Sequence, residues 1–141
     1  SIKPAYASTY DVCIKVKDAK GTIAKKYFTV KVTAALTNNS TVSATSISKG
    51  DSVTLTGKAT GGTSPYTYAY YYKRTTSSSW TTAKTWSSST SVSIKPAYAS
   101  TYDVCIKVKD SKGTVAKKYF TVNVKAPLAN NSTLSATTMA Q

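Results

Sequence analysis

Five aspartates and two cysteines are the side chains whose types first suggest catalysis or metal binding. The sequence contains no histidine and no glutamate. General acid–base catalysis near neutral pH relies most often on histidine, and a cysteine nucleophile needs a base beside it. Two cysteines without histidine give no zinc spacing, and the aspartates do not cluster along the chain as calcium ligands do. The sequence therefore predicts no enzyme, no metal site and no cofactor.

Cys13 and Cys105 stand at equivalent positions of a repeated segment, so neither has a disulfide partner within its own repeat. Strand alternation predicts that Cys105 faces outward, and the neighbouring Lys15 and Lys107 favour the reactive thiolate. Both cysteines are therefore candidate contacts between chains. The alternative is that each is a small strand residue covered by a neighbouring side chain.

The surplus of basic residues suggests a binding surface. Nineteen Lys and Arg residues stand against five Asp, which gives a net charge of +14. The predicted strands bring one set of aromatic and basic residues to a common face: Tyr71, Lys73, Lys107, Lys109 and Tyr119. Such a face suits an anionic cell-wall or surface polymer, or a glycan. The alternative is a solvated face whose lysines keep sheet edges from pairing. No motif for specific nucleic-acid recognition is present.

Trp80 and Trp86 are six residues apart in a segment rich in Ser and Thr, so a strand would place both on one side. They are either an aromatic platform for a sugar ring or caps on the hydrophobic core. The second reading is the more common role of tryptophan in a sandwich, and we expect it here.

A long repeat organises the chain. The segment SIKPAYASTYDVCIKVKD occurs at residues 1–18 and again at 93–110, and residues 1–32 differ from 93–124 at only three positions. Residues 33–49 resemble 125–141 at the same offset, which makes the repeat 92 residues long. The predicted organisation is the C-terminal part of a preceding repeat (1–32), a complete repeat (33–124) and the first strand of a following repeat (125–141). The sequence is expected to be a slice of a longer array.

Short runs rich in Val, Thr and Tyr, separated by Gly, Pro and Ser/Asn clusters, predict an all-β fold. The seven predicted strands of the complete repeat cover residues 41–47, 52–60, 66–74, 80–86, 89–94, 101–109 and 114–124. This number and spacing predict an immunoglobulin-like sandwich of antiparallel strands.

Alternation along the strands predicts which side chains form the core. The inward set is Val53, Leu55, Gly57, Ala59, Tyr68, Tyr70, Tyr72, Tyr102, Val104, Ile106, Val108, Phe120, Val122 and Val124. Tyr102 also occupies the position of the corner tyrosine found in many such sandwiches.

The strings GGTSPYTYAYYYKR and TYDVCIKVKDSKGT resemble bacterial immunoglobulin-like repeats with a triple-tyrosine pattern, and the second also resembles PKD-like repeats. The resemblance extends over residues 41–124 and partly over 1–32 and 125–141. It implies tandem sandwiches in secreted or cell-surface proteins that act as spacers, stalks or adhesive modules.

Together these observations predict an extracellular structural repeat that forms a stalk, fibre or adhesin shaft by stacking sandwich units head to tail. Its expected partners are neighbouring repeats or chains. The alternative is a module that binds anionic or carbohydrate polymers through the basic, aromatic face. The sequence has no apolar run long enough for a membrane helix, so membrane insertion is not expected.

Overall fold

The computed structural model describes residues 1–130 and 132–133, which form twelve strands and no helix. The strands are β1 (Thr9–Lys17), β2 (Ile23–Lys31), β3 (Thr37–Asn38), β4 (Thr41–Val42), β5 (Ser46–Ser48), β6 (Val53–Thr56), β7 (Ala59–Thr60), β8 (Thr67–Arg74), β9 (Thr81–Ser87), β10 (Ser91–Ile94), β11 (Thr101–Lys109) and β12 (Val115–Lys125). No helix within these residues is long and apolar enough to cross a bilayer.

Two sheets make up the body of the complete repeat. One has five strands in the order β5-β12-β11-β8-β9, and the other has three in the order β10-β6-β4. Buried side chains from both sheets form one hydrophobic cluster, which includes Val53 and Leu55 of β6 and Val104, Ile106 and Val108 of β11. The prediction of an all-β sandwich is confirmed, although one strand pair, β5 with β12, is parallel and not antiparallel as predicted.

The predicted inward faces are confirmed along the central strands. Tyr102, Val104, Ile106 and Val108 are buried, as the period of two in β11 requires. Gly57, just after β6, permits a close approach between the sheets. A Cβ atom at this position would lie 2.4 Å from the ring of Tyr68 and 2.7 Å from the hydroxyl of Tyr70, so only glycine leaves room for both rings.

Tyr102 forms the predicted corner. Its hydroxyl oxygen accepts a hydrogen bond from the backbone N–H of Tyr98 at 3.2 Å, which ties the lead-in of β11 to the strand itself. Tyr10 repeats this contact with the N–H of Tyr6 at 3.3 Å. The first segment therefore reproduces the local structure of the second without most of the surrounding sandwich.

Two of the predicted strands are divided in the structure. The segment 41–47 pairs with β6 through β4, and it then crosses to the other sheet, where β5 pairs in parallel with β12. The Ser43 hydroxyl accepts a hydrogen bond from the N–H of Thr54 at 2.9 Å, close to the end of the first ladder. Segment 52–60 divides at Gly57–Lys58, because β7 leaves β6 to pair with β3. β3 was not predicted.

The first 32 residues form a hairpin of β1 and β2 whose register is that of β11 and β12. Thr9 pairs with Lys31 and Lys17 with Ile23, and Thr101 and Lys109 pair with the equivalent residues of β12. The surroundings differ. Ile14 is 53% exposed and Val16 64% exposed, whereas Ile106 and Val108 are 0% exposed. The hairpin therefore has the same apolar face as β11–β12, and this face is bare.

The assignment of residues 125–141 to the first strand of a following repeat stays a prediction. Lys125 ends β12, residues 126–130 have no regular structure, and residues 131 and 134–141 lie outside the described part of the chain.

Candidate functional site

The outer face of the five-stranded sheet carries interleaved aromatic and basic side chains, which we call the aromatic–lysine face. Its members are Tyr71, Lys73, Trp80, Trp86, Lys107, Lys109, Lys117 and Tyr119. Within the strands, residues of this face stand next to core residues in the sequence. Because successive side chains of a strand point to opposite faces, Ile106 is buried and Lys107 faces outward. The face therefore brings together all five residues that the sequence predicted for polymer binding.

Lysine ammonium groups lie over aromatic rings along this face. Lys107 Nζ is 4.7 Å from the centroid of the Tyr71 ring, and Lys109 Nζ is 4.4 Å from that of Trp86. These distances are within the range of cation–π attraction. The contacts hold the lysine stems against the sheet while the charged groups stay near solvent.

Lys73 differs from the other lysines because its charge is already compensated. Its Nζ lies 3.4 Å from a carboxylate oxygen of Asp103 and donates a hydrogen bond of 2.8 Å to the carbonyl of Ser77. This is the one ion pair within the described residues. Lys73 therefore contributes less to attracting an anion than Lys107 or Lys117.

A cleft with a volume of about 260 Å³ opens in the middle of the aromatic–lysine face. Its lining residues come from β8, β11, β12 and the residue before β9: Tyr71, Trp80, Cys105, Lys107, Lys117 and Tyr119. The rings of Trp80 and Tyr119 are 6.3 Å apart and inclined at 49°, so they form an open V along the cleft. We refer to this feature as the central cleft.

Both tryptophans lie on the outer face, and the expectation that they cap the core is wrong. Lys73 Nζ lies 5.3 Å from the ring centroid of Trp80, and Lys109 Nζ lies over the ring of Trp86. They do share one side, as their spacing predicted. Ser and Thr residues occupy both faces of β9, so its sequence shows no apolar alternation from which the side of the tryptophans could be deduced.

Cys105 faces outward but is not exposed. It pairs directly with Tyr71 of β8 on one side and with Tyr119 of β12 on the other, and only 3% of its surface is accessible. Burial raises the pKa of the Cys105 thiol, and this outweighs the opposing effects of Lys107, a hydrogen bond to Tyr119 and Lys117. The prediction of an exposed, reactive thiolate at Cys105 is therefore wrong, and the alternative of a covered strand residue is correct.

Cys13 has the same strand position but lacks a neighbouring strand equivalent to β8. Its cross-strand partner is Tyr27, and the thiol is exposed. The sequence did contain a signal for this difference in exposure between Cys13 and Cys105, because tyrosines occur in both strands that flank β11. Recognising that these tyrosines cover Cys105 required the register of all three strands.

The two thiols are expected to react differently in the folded protein. Alkylation under non-denaturing conditions should add one label at Cys13, because covering by the tyrosines and the raised pKa of Cys105 both slow attack there. Intact mass before and after denaturation measures this, and Cys13→Ser is the matched control that should leave no rapidly labelled site. If Cys13 and Cys105 of the native protein were alkylated at equal rates, this would contradict the buried position of Cys105.

No protein-family model matches the sequence, and no curated protein matches it either. Among solved structures, the chain is similar to a Ca²⁺-stabilised adhesin that helps an Antarctic bacterium reach out and bind ice. The identity is 18% and the TM-score 0.39, with 86% of this chain matched. The chain spans about a third of the length of that adhesin structure, since 33% of it is matched.

Proposed function

We propose that this chain is part of a tandem array of immunoglobulin-like sandwiches that serves as an extracellular, adhesin-like stalk. The observation that carries the proposal is the hairpin of β1 and β2, which repeats the sequence and register of β11 and β12 but has a bare apolar face. The resemblance of the complete repeat to bacterial surface repeats supports the extracellular setting.

The complete repeat indicates what belongs on the bare face. In that repeat, the inner face of β11 and β12 packs against β6 and β10, and β8 pairs along the free edge of β11. The hairpin of β1 and β2 has the same inward residues, including Val12, Ile14 and Val16. A preceding segment with the sequence of residues 33–92 would therefore complete it as a second sandwich. Units that need neighbouring sequence to bury their core are typical of repeat arrays.

The junction between the hairpin and the complete repeat is short. The N–H of Val32 donates to the carbonyl of Ser8 at 2.9 Å, so the hairpin is still anchored at this residue. The carbonyl of Ala34 accepts a hydrogen bond from Gly62 at 2.7 Å, which attaches the chain to the complete repeat. Thr33 alone lies between these two anchors, and so short a connection favours a stiff array over flexibly linked domains.

Extending the chain tests the proposal. A copy of residues 33–92 is fused directly ahead of Ser1. The last residue of the copy is then followed by Ser1, just as Val92 is followed by Ser93 in the complete repeat. We expect Cys13 to become as slow to alkylate as Cys105, because the added strand equivalent to β8 supplies the missing tyrosine beside it. Small-angle X-ray scattering of the extended protein should show a particle that lengthens without thickening.

The matched control carries the same sixty added residues in scrambled order. In this protein Cys13 should keep the labelling rate of the 141-residue chain. If the correctly ordered extension also leaves Cys13 fully reactive, then the hairpin is not an incomplete sandwich and the array proposal fails.

A further inference from the structure

The central cleft combines features that suit a charged sugar, and nothing in the stacking of repeats requires them. We propose that this cleft binds one unit of an acidic polysaccharide, with the sugar ring against Trp80 and Tyr119 and its carboxylate or sulfate near Lys107 and Lys117. This inference goes beyond the proposed stalk and does not depend on it, because all the lining residues belong to one complete repeat.

The aromatic walls supply a surface for the ring of a sugar. Tyr119 is 61% exposed and Trp80 is 40% exposed, so both large rings present accessible surface to the cleft. Their rings are inclined at 49° and separated by 6.3 Å, so the apolar face of a pyranose can rest on one ring while its edge meets the other. Exposed aromatic pairs in a concave site point to a ligand with an apolar face and polar edges.

The cations supply selectivity for an acid. Lys107 and Lys117 both line the cleft, and neither forms an ion pair within the described residues. Lys107 is held over the Tyr71 ring, which positions its ammonium group at the edge of the cleft before any ligand arrives. Ordering the lysine in advance lowers the conformational entropy lost on binding. The net charge of +14 adds a long-range attraction for any polyanion.

The floor and the size of the cleft limit what it can accept. Cys105 forms a neutral floor, because its buried thiol stays protonated and does not repel an anion. The volume of about 260 Å³ is below the roughly 300–1,000 Å³ of pockets that enclose a drug-sized ligand. A single sugar unit of a longer chain therefore fits better than a large free ligand, and repeats in an array would bind one polymer at several points.

The test uses the full 141-residue chain and four immobilised or gel-embedded polymers. The probes are polygalacturonate for carboxylates, heparin for sulfates, neutral dextran, and poly(dT) as a non-saccharide polyanion. We expect retardation by polygalacturonate or heparin, and the stronger of the two identifies the acid group. Binding should weaken with added salt, because the lysines are near the surface. In a Trp86→Phe background, Trp80 is the one remaining tryptophan, and its fluorescence should change on binding.

Matched variants separate the cleft from general charge. Trp80→Ala and Tyr119→Ala should each weaken binding about tenfold, as truncation of an aromatic residue at the centre of a binding site commonly does. Tyr27→Ala removes the equivalent tyrosine of the hairpin, which has no Trp80 or Tyr71 beside it, and should bind like the parent chain. Circular dichroism of each variant confirms that it is folded.

Three results would overturn the proposal. The first is equal retardation of the parent and of both cleft variants. The second is binding of poly(dT) as tight as that of the acidic polysaccharides, which would show attraction by charge alone. The third is binding of neutral dextran at the level of the acidic polymers, which would remove the role assigned to the lysines.

Discussion

Replacing Ile106 with alanine is expected to lower the free energy of unfolding of the complete repeat by about 2–5 kcal/mol. Ile106 is 0% exposed and lies at the centre of the hydrophobic cluster between the two sheets. Truncation removes buried methyl and methylene groups and leaves a cavity that the two sheets cannot easily close, since both are fixed by backbone hydrogen bonds. Urea unfolding followed by tryptophan fluorescence measures the loss, because Trp80 and Trp86 both belong to the complete repeat.

Ile14→Ala is the matched control for this experiment. Ile14 has the same neighbours in sequence and the same strand register as Ile106, but it is 53% exposed. We therefore expect a change within about 0.5 kcal/mol, as for most surface positions. Comparable losses from the two substitutions would contradict the bare face of the first hairpin.

Replacing Asp110 with alanine is the second substitution expected to have a large effect, with a fall of several degrees in the unfolding temperature at neutral pH. The Asp110 carboxylate accepts hydrogen bonds from three backbone N–H groups: Thr63 at 3.1 Å, Lys112 at 3.1 Å and Thr114 at 2.9 Å. It therefore joins the turn after β11 to the loop after β7. Alanine would leave those donors without a partner in a region where Asp110 itself is buried.

The effect of Asp110 should depend on pH. Burial tends to raise the pKa of the Asp110 carboxyl, but hydrogen bonds from the backbone of Thr114, Thr63 and Lys112 outweigh it, and the net pKa is lowered. A lowered pKa in the folded state means that the unfolded chain binds more protons, so stability increases with pH in this window. The contribution is complete above the ordinary aspartate value of about 3.9. It is lost as the pH falls through the lower pKa of the folded state.

Thermal unfolding of Asp110→Ala and of the parent chain from neutral pH down to acid checks this dependence, and the difference between them should narrow below about pH 4. The matched control is Asp18→Ala. The Asp18 carboxylate accepts hydrogen bonds from the backbone N–H groups of Lys20 at 3.0 Å and Thr22 at 2.8 Å, which correspond to the bonds of Asp110 within its own turn. Among the described residues, Asp18 accepts no bond that corresponds to the one from Thr63. A difference for Asp110→Ala that stays constant at all pH values would show that its charge plays no part.

Much of the sandwich was predictable because strand geometry depends on local sequence. Val104, Ile106 and Val108 alternate with Asp103, Cys105, Lys107 and Lys109, and a period of two then determines which face holds the apolar set. The corner contact of Tyr102 follows from its place just inside the same strand. Predicting these features requires only the sequence of the strand and the assumption that one of its faces is covered.

The features that were missed depend on residues distant in sequence. The break at residues 43–45 arises because β5 finds a parallel partner in β12, about eighty residues later. The burial of Cys105 arises from tyrosines on two other strands. For the candidate site, the sequence predicted the participating strands and five of its residues. The cleft itself appears only once Trp80 and Tyr119 are brought together.

The parallel pairing of β5 with β12 has a mechanical consequence. Tension along the polypeptide that passes β3 and β4 would act on β5 from its amino end, ahead of Ser46, and on β12 from its carboxyl end, after Lys125. Because the two strands run in the same direction and are pulled from opposite ends, the load acts along them as shear. The pairs from Asn123–Ser46 to Lys125–Ser48 share that load and must rupture together. An antiparallel hairpin pulled from its open end would instead unzip one pair at a time, so this arrangement suits a molecule that holds under traction.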